Sequence, residues 1–99
     1  MLNINKAVDN RKALITLEGR LDTATAPELE HVLSKTMHKI DELTLDFEKL
    51  DYISSAGLRV LLTAQKQMSQ QGGMKLIHVN ETIMDVFEIT GFSDILTIE

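Results

Sequence analysis

Cysteine is absent from the chain, which excludes disulfides, thiol catalysis and cysteine-built metal sites. Tryptophan is missing as well, and aromatic residues make up only 4%, so leucine, isoleucine, valine, alanine and methionine must pack the core. Basic residues are in short supply, 10 against 15 acidic ones for a net charge of −5, which argues against general affinity for nucleic acid or an anionic membrane surface. No apolar run nears the roughly 20 residues that span a bilayer, so membrane insertion is not expected. The opening stretch MLNINKAVDN has no basic-then-apolar signal pattern, and a cytoplasmic location is the expectation.

What is present suits one small globular domain over residues 1–99, 43% apolar. Leu2-Asn3-Ile4 alternates and predicts a short edge strand; Asp9-Asn10 is turn chemistry. Ala13 to Glu18, ALITLE, alternates up to Gly19 and predicts a second strand paired with the first as a hairpin. Thr25 and Glu28 have capping-box spacing, with Pro27 in the first turn, where its missing N–H is harmless. Leu29, Val32, Leu33, Met37 and Ile40 then recur on one helical face. Glu42 to Phe47 alternates as a strand, a second helix runs from about Ser55 to Gln71, and Gly72-Gly73 ends it. Met74 to Val79 reads as a strand. Asn80 caps a third helix with Ile83, Val86 and Phe87 inward, closed by Gly91. The closing DILTIE is a last short strand or an extended tail. The order β-β-α-β-α-β-α-(β) predicts an α/β domain whose mixed sheet joins a short N-terminal hairpin to βα units, with helices packed against it.

The stretch YISSAGLR, Tyr52 to Arg59, sets two serines where a strand-side segment gives way to a helix. With Ser55 as N-cap, its hydroxyl stands at an electropositive helix end, and capping alone is a sufficient reason for a serine there. That end also tolerates a phosphate dianion. Ala56, Val60, Leu61, Ala64 and Met68 should face the sheet. Ser55, Arg59, Leu62, Lys66 and Ser69 form an outward stripe that starts at the serine. Leu62 in it is either a core-edge residue or an apolar contact.

YISSAGLRVLL resembles the signature of STAS domains, specifically the anti-sigma factor antagonists of bacterial regulation, whose pattern is an aromatic and an aliphatic residue followed by Asp-Ser-Ser/Thr-Gly-Leu at a helix start. LEGRLDTATAPELE, with Asp22, resembles the family's Gly-x-Leu-Asp segment; ELTLDFEKLDYI and FEITGFSDIL resemble the approach strand and the late glycine turn. The resemblance implies a small STAS-like α/β fold. It implies a protein that binds an anti-sigma factor that is also a serine kinase, is released when that kinase phosphorylates it, and is reset by a serine phosphatase. Aligned on Gly57-Leu58, the phosphorylated position is Ser55, with Ser54 as the alternative acceptor. The contact surface is Asp22, Thr23, Ser54, Ser55, Ala56, Gly57, Arg59, Leu62 and Lys66. Two departures stand out: Ser54 replaces the family's acidic residue, and Ala56 replaces a common Ser or Thr.

Other classes fit less well. Ser55 has Ile53 rather than glycine two residues before it, so half of a hydrolase Gly-x-Ser-x-Gly elbow is missing, and no enzymatic activity is expected. His31, His38 and His78 have no metal-ligand spacing, and neither a metal nor a cofactor is expected. His78 reads as a partly buried strand histidine. The alternative within the family is a non-switching scaffold subunit of a lipid- or anion-transport assembly.

Overall fold

The computed structural model describes residues 1–99. Four strands lie in chain order across one sheet: β1 (Leu2–Asp9), β2 (Lys12–Leu21), β3 (Glu42–Ile53) and β4 (Gly73–Ile77). β1 pairs antiparallel with β2, and β2–β3 and β3–β4 pair in parallel, giving the expected mixed sheet. Helix α1 (Ala26–Thr36) connects β2 to β3, α2 (Ser55–Ser69) connects β3 to β4, and α3 (Glu81–Thr90) follows β4. The hairpin turns at Asn10, whose φ of +57° is a left-handed conformation that asparagine tolerates.

Alternation places the core on one sheet face. Ala13, Ile15 and Leu17 of β2, Leu43, Leu45 and Phe47 of β3, and Met74 and Leu76 of β4 are buried beneath the helices. The intervening Leu14, Thr44, Lys75 and Ile77 lie on the other face, exposed or half-buried. From α1, Leu29 and Leu33 reach the core, and from α2, Leu61, Ala64 and Met68 do. Phe87 of α3 tilts against Phe47, with ring centroids 6.2 Å apart.

Several elements differ from the sequence expectation, each for a local reason. The first strand is eight residues long, not three, because the hairpin register runs unbroken from Leu2↔Gly19 to Asp9↔Lys12. β3 continues past Phe47 to Ile53. Its register against β2 slips twice, between Thr16/Glu18 and Gly19/Arg20, so β3 carries extra residues there. These bulges break the two-residue period yet return Leu50 and Ile53 to the buried face. The expected Thr25–Glu28 capping box does not form: Thr25 precedes α1 but makes no side-chain cap, because its buried hydroxyl donates to the Arg20 carbonyl at 2.8 Å and accepts from the Asp22 N–H at 2.8 Å. α1 ends at Thr36, and Met37–Lys39 tighten into a 3₁₀ turn that delivers the buried Ile40. β4 stops at Ile77. His78 is therefore not a strand residue; it has a left-handed φ of +58° and an exposed ring.

The third helix matches expectation at both ends. Asn80 Oδ1 accepts from the Ile83 N–H, while its Nδ2 donates to the Leu50 carbonyl, tying the cap to β3. Gly91 closes it with a φ of +83°, where a side chain would be strained. The tail contributes a single parallel bridge, Ile98 to Leu76, along the outer edge of β4.

Candidate functional site

The site assembles where β2 and β3 end side by side. Leu21 pairs with Ile53, and the Ser54 N–H donates to the Leu21 carbonyl at 2.9 Å. That register brings the loop after β2, carrying Asp22 and Thr23, beside the start of α2.

The two serines have different roles. Ser54, not Ser55, is the N-cap of α2, which corrects the sequence expectation. Its backbone is extended, its Oγ accepts from the Gly57 N–H at 3.4 Å, and its carbonyl accepts from the Leu58 N–H. Ser55 is the first helical residue and is exposed. A residue in the first helical turn has a backbone N–H with no intrahelical partner, so Ser55 still sits at the electropositive tip. Ser54 is half-buried and engaged, whereas Ser55 presents its hydroxyl to solvent.

Gly57 explains how the helix start seats so closely. A Cβ on it would lie 2.7 Å from Leu21 Cγ and 3.0 Å from Ile53 Cγ1. Only glycine lets the first turn of α2 rest on the ends of both strands. Gly57 and Leu58 are buried, so Gly57 shapes the site from beneath rather than offering itself to a partner. Ala56 is half-buried and packs against the core, on the inward side its spacing suggested.

Asp22 is similarly occupied. Its Oδ1 accepts from the N–H groups of Ala24 and Thr25, both at 3.0 Å, and from the Thr25 hydroxyl at 3.1 Å. The Thr25 N–H above all, with the Thr25 hydroxyl and the Ala24 N–H, outweighs partial desolvation and holds its pKa below the usual carboxylate range. Asp22 thus remains ionised and fixes the loop, leaving Thr23 exposed at its apex. Arg20 adds a second brace unnoticed in the sequence: it lies 3.7 Å from Asp22 Oδ2 and stacks 4.2 Å from the centre of the half-exposed Tyr52 ring. The signal was a parallel register pairing Arg20 with Tyr52, which no linear spacing reveals.

Arg59 and Lys66 are exposed along α2, and Leu62 between them is half-buried, a core-edge leucine with one side free. A recess of about 210 Å³ opens between α1 and α2, where Thr23, Ala56 and Arg59 meet Pro27 and Glu30. It continues as a wider groove of about 420 Å³ toward Leu33, Met37 and Val60. Of the residues expected to meet a partner, Thr23, Ser55, Ala56, Arg59, Leu62 and Lys66 are accessible together, while Asp22, Ser54 and Gly57 hold the geometry.

The histidines lie elsewhere. His31 and His38 are exposed at α1 and the turn after it. His78 Nδ1 is 2.9 Å from Asp46 Oδ1, and Glu48 completes a group whose ligand-type atoms lie within 4.8 Å of one another. Those three residues have the atoms to hold a divalent cation, but Asp46 Oδ1 is already shared between His78 and the Glu48 N–H. Burial opposes ionisation of Asp46, and the Glu48 N–H and His78 overcome it, so its pKa is lowered. The hydrogen bond to Asp46 in turn raises that of His78.

The model of the STAS domain matches residues 3–99. The chain belongs to the STAS-domain family. It is 42% identical over 84 residues to BtrV of Bordetella bronchiseptica, named provisionally as an anti-sigma factor antagonist, covering 83% of this chain and 72% of that one. In fold it is similar to an anti-sigma factor antagonist from Mycobacterium paratuberculosis, with a TM-score of 0.89 at 16% identity over 99% of this chain and 85% of that one. It is also similar to the Bacillus cell fate determinant SpoIIAA in its phosphorylated form, with a TM-score of 0.75 at 19% identity over 100% of this chain and 91% of that one. No helix is long and apolar enough to cross a membrane.

Proposed function

We propose that this chain is an anti-sigma factor antagonist, a single cytoplasmic domain that works by binding rather than by catalysis. In its unmodified state it docks an anti-sigma factor that is also a serine kinase, using Thr23, Ser55, Ala56, Arg59, Leu62 and Lys66. The Ser55 hydroxyl oxygen attacks the γ-phosphorus of the kinase's ATP, the bond to the β–γ bridging oxygen breaks, ADP leaves, and the hydroxyl proton passes to a base of the kinase. The complex then separates, and a serine phosphatase hydrolyses the ester to reset the protein.

The observation that carries this reading is the division of labour between the serines. Ser54 is held by its cap, and Ser55 is exposed on the same helix tip. A phosphate there adds about −1.5 to −2 charges where the helix tolerates them, so the fold persists. The cost falls on the interface, where an unmatched dianion must be desolvated; about 2.8 kcal/mol is already a hundredfold in affinity. Related names and the solved phosphorylated SpoIIAA support the same assignment.

The experiment is incubation with the cognate kinase and ATP, followed by mapping of the phosphate by mass spectrometry. Modification on Ser55 is expected. Phosphate on Ser54, or none, overturns the reading.

A further inference from the structure

Three basic side chains lie on α2 or beside its first turn, and two of them are unsuited to a phosphate on Ser55. Arg20 is committed to Asp22 at 3.7 Å and to the Tyr52 ring at 4.2 Å. Lys66 lies eleven residues along α2, about 16 Å at the helical rise, beyond the reach of its own side chain. Arg59 is exposed and belongs to none of the ion pairs of the molecule.

Arg59 also stands at a suitable spacing on α2. It follows Ser55 by four residues, and residues at that spacing are neighbours on a helix surface, roughly 6 Å apart at Cβ. Helical side chains lean toward the N-terminus, so a long one covers the turn before its own Cα, which here is the turn of Ser55. An anion N-terminal to a cation at this spacing is the favourable orientation. Arg59 lines a recess between α1 and α2 together with Thr23 and Ala56, and Glu30 is the one carboxylate lining that recess.

We propose that Arg59 captures the phosphate of Ser55 within the same helix. This rests on Ser55 being the acceptor. Phosphorylation then alters two members of the docking surface at once: a hydroxyl becomes a dianion, and the cation one turn away is withdrawn from the partner into an internal pair. In the unmodified protein Arg59 is free to meet an acidic group of the partner. The helix dipole and Arg59 stabilise the dianion together, so the modified state is held as a defined conformation and not merely as a repelled one.

The test installs phosphoserine at position 55 during synthesis of the full chain, and follows the phosphate by phosphorus NMR against pH. In the otherwise unchanged protein the second phosphate ionisation is expected about 0.2–0.4 of a pH unit lower than in Arg59→Gln, as a single exposed pair at this spacing implies. Lys66→Gln, which removes the other stripe cation, is expected to leave the titration where it was. Arg59 lies on an exposed helix face, and a thermal melt of Arg59→Gln checks that the variant is folded. Equal titrations with and without Arg59 overturn the assignment of Arg59 alone. Kinase-driven phosphate appearing on Ser54 and not Ser55 overturns the reading beneath it, and the two failures are read from separate samples.

Discussion

Ser54 and Ser55 differ by one position and by one hydrogen bond. Removing the Ser54 hydroxyl leaves the Gly57 N–H without its cap, so Ser54→Ala is expected to cost about 1 kcal/mol in urea denaturation. Ser55→Ala, at an exposed site, is expected to stay within about 0.5 kcal/mol of the parent. Equal losses from the two variants would mean that the cap is shared. Gly57→Ala places a methyl group 2.7 Å from Leu21 Cγ, and the first turn of α2 must shift to admit it. A loss of about 1–3 kcal/mol is expected by overpacking, together with weaker partner binding through a displaced Ser55. The sequence could point to the serine pair, because hydroxyls at a helix start are visible as letters. It could not say which of them caps, since that turns on a single residue of helix phase.

At the scale of elements, regular alternation was readable and its interruptions were not. β3 looked finished at Phe47 because two bulges break its period, although the strand continues and carries Ser54 to its place beside Leu21. Thr25 had the spacing of a capping box, but the nearer carbonyl of Arg20 claims its hydroxyl. The end of β4 is tied to β3 by His78 and Asp46, with Glu48 and Lys49 the other charged groups acting on them. The folded pKa of His78 is raised above 6.5, the Asp46 hydrogen bond being the first cause, so the stabilisation is complete below the ordinary histidine value and disappears as pH rises through the folded one. Asp46 runs the other way: its lowered pKa gives stabilisation above 3.8 that is lost on acidification through the folded value. The urea midpoint of the parent is therefore expected to fall as pH rises above the ordinary histidine value of 6.5, and that fall should flatten in His78→Gln. An unchanged slope would show that the pair does not couple to folding.

For the molecule as a whole, stability and recognition occupy different places. The core lies between one sheet face and three helices, and its largest fully buried side chains include Phe47 and Phe87. Phe87→Ala is expected to cost about 3–5 kcal/mol in denaturant unfolding, a loss of fold rather than of any docking residue. The proposed recognition surface carries Arg59 and Lys66 exposed on a chain of net charge −5, so the proposed docking stripe opposes the sign of the rest of the molecule. That contrast favours an acidic partner surface and makes added negative charge at Ser55 costly to the complex. The central claim is tested most directly by isothermal titration of the cognate anti-sigma factor kinase with Ser55→Asp and Ser55→Ala. Ser55→Ala is expected to bind as the parent does. Ser55→Asp, with an unchanged melting temperature, is expected to bind about a hundredfold more weakly. Equal affinities for the two folded variants would contradict the account.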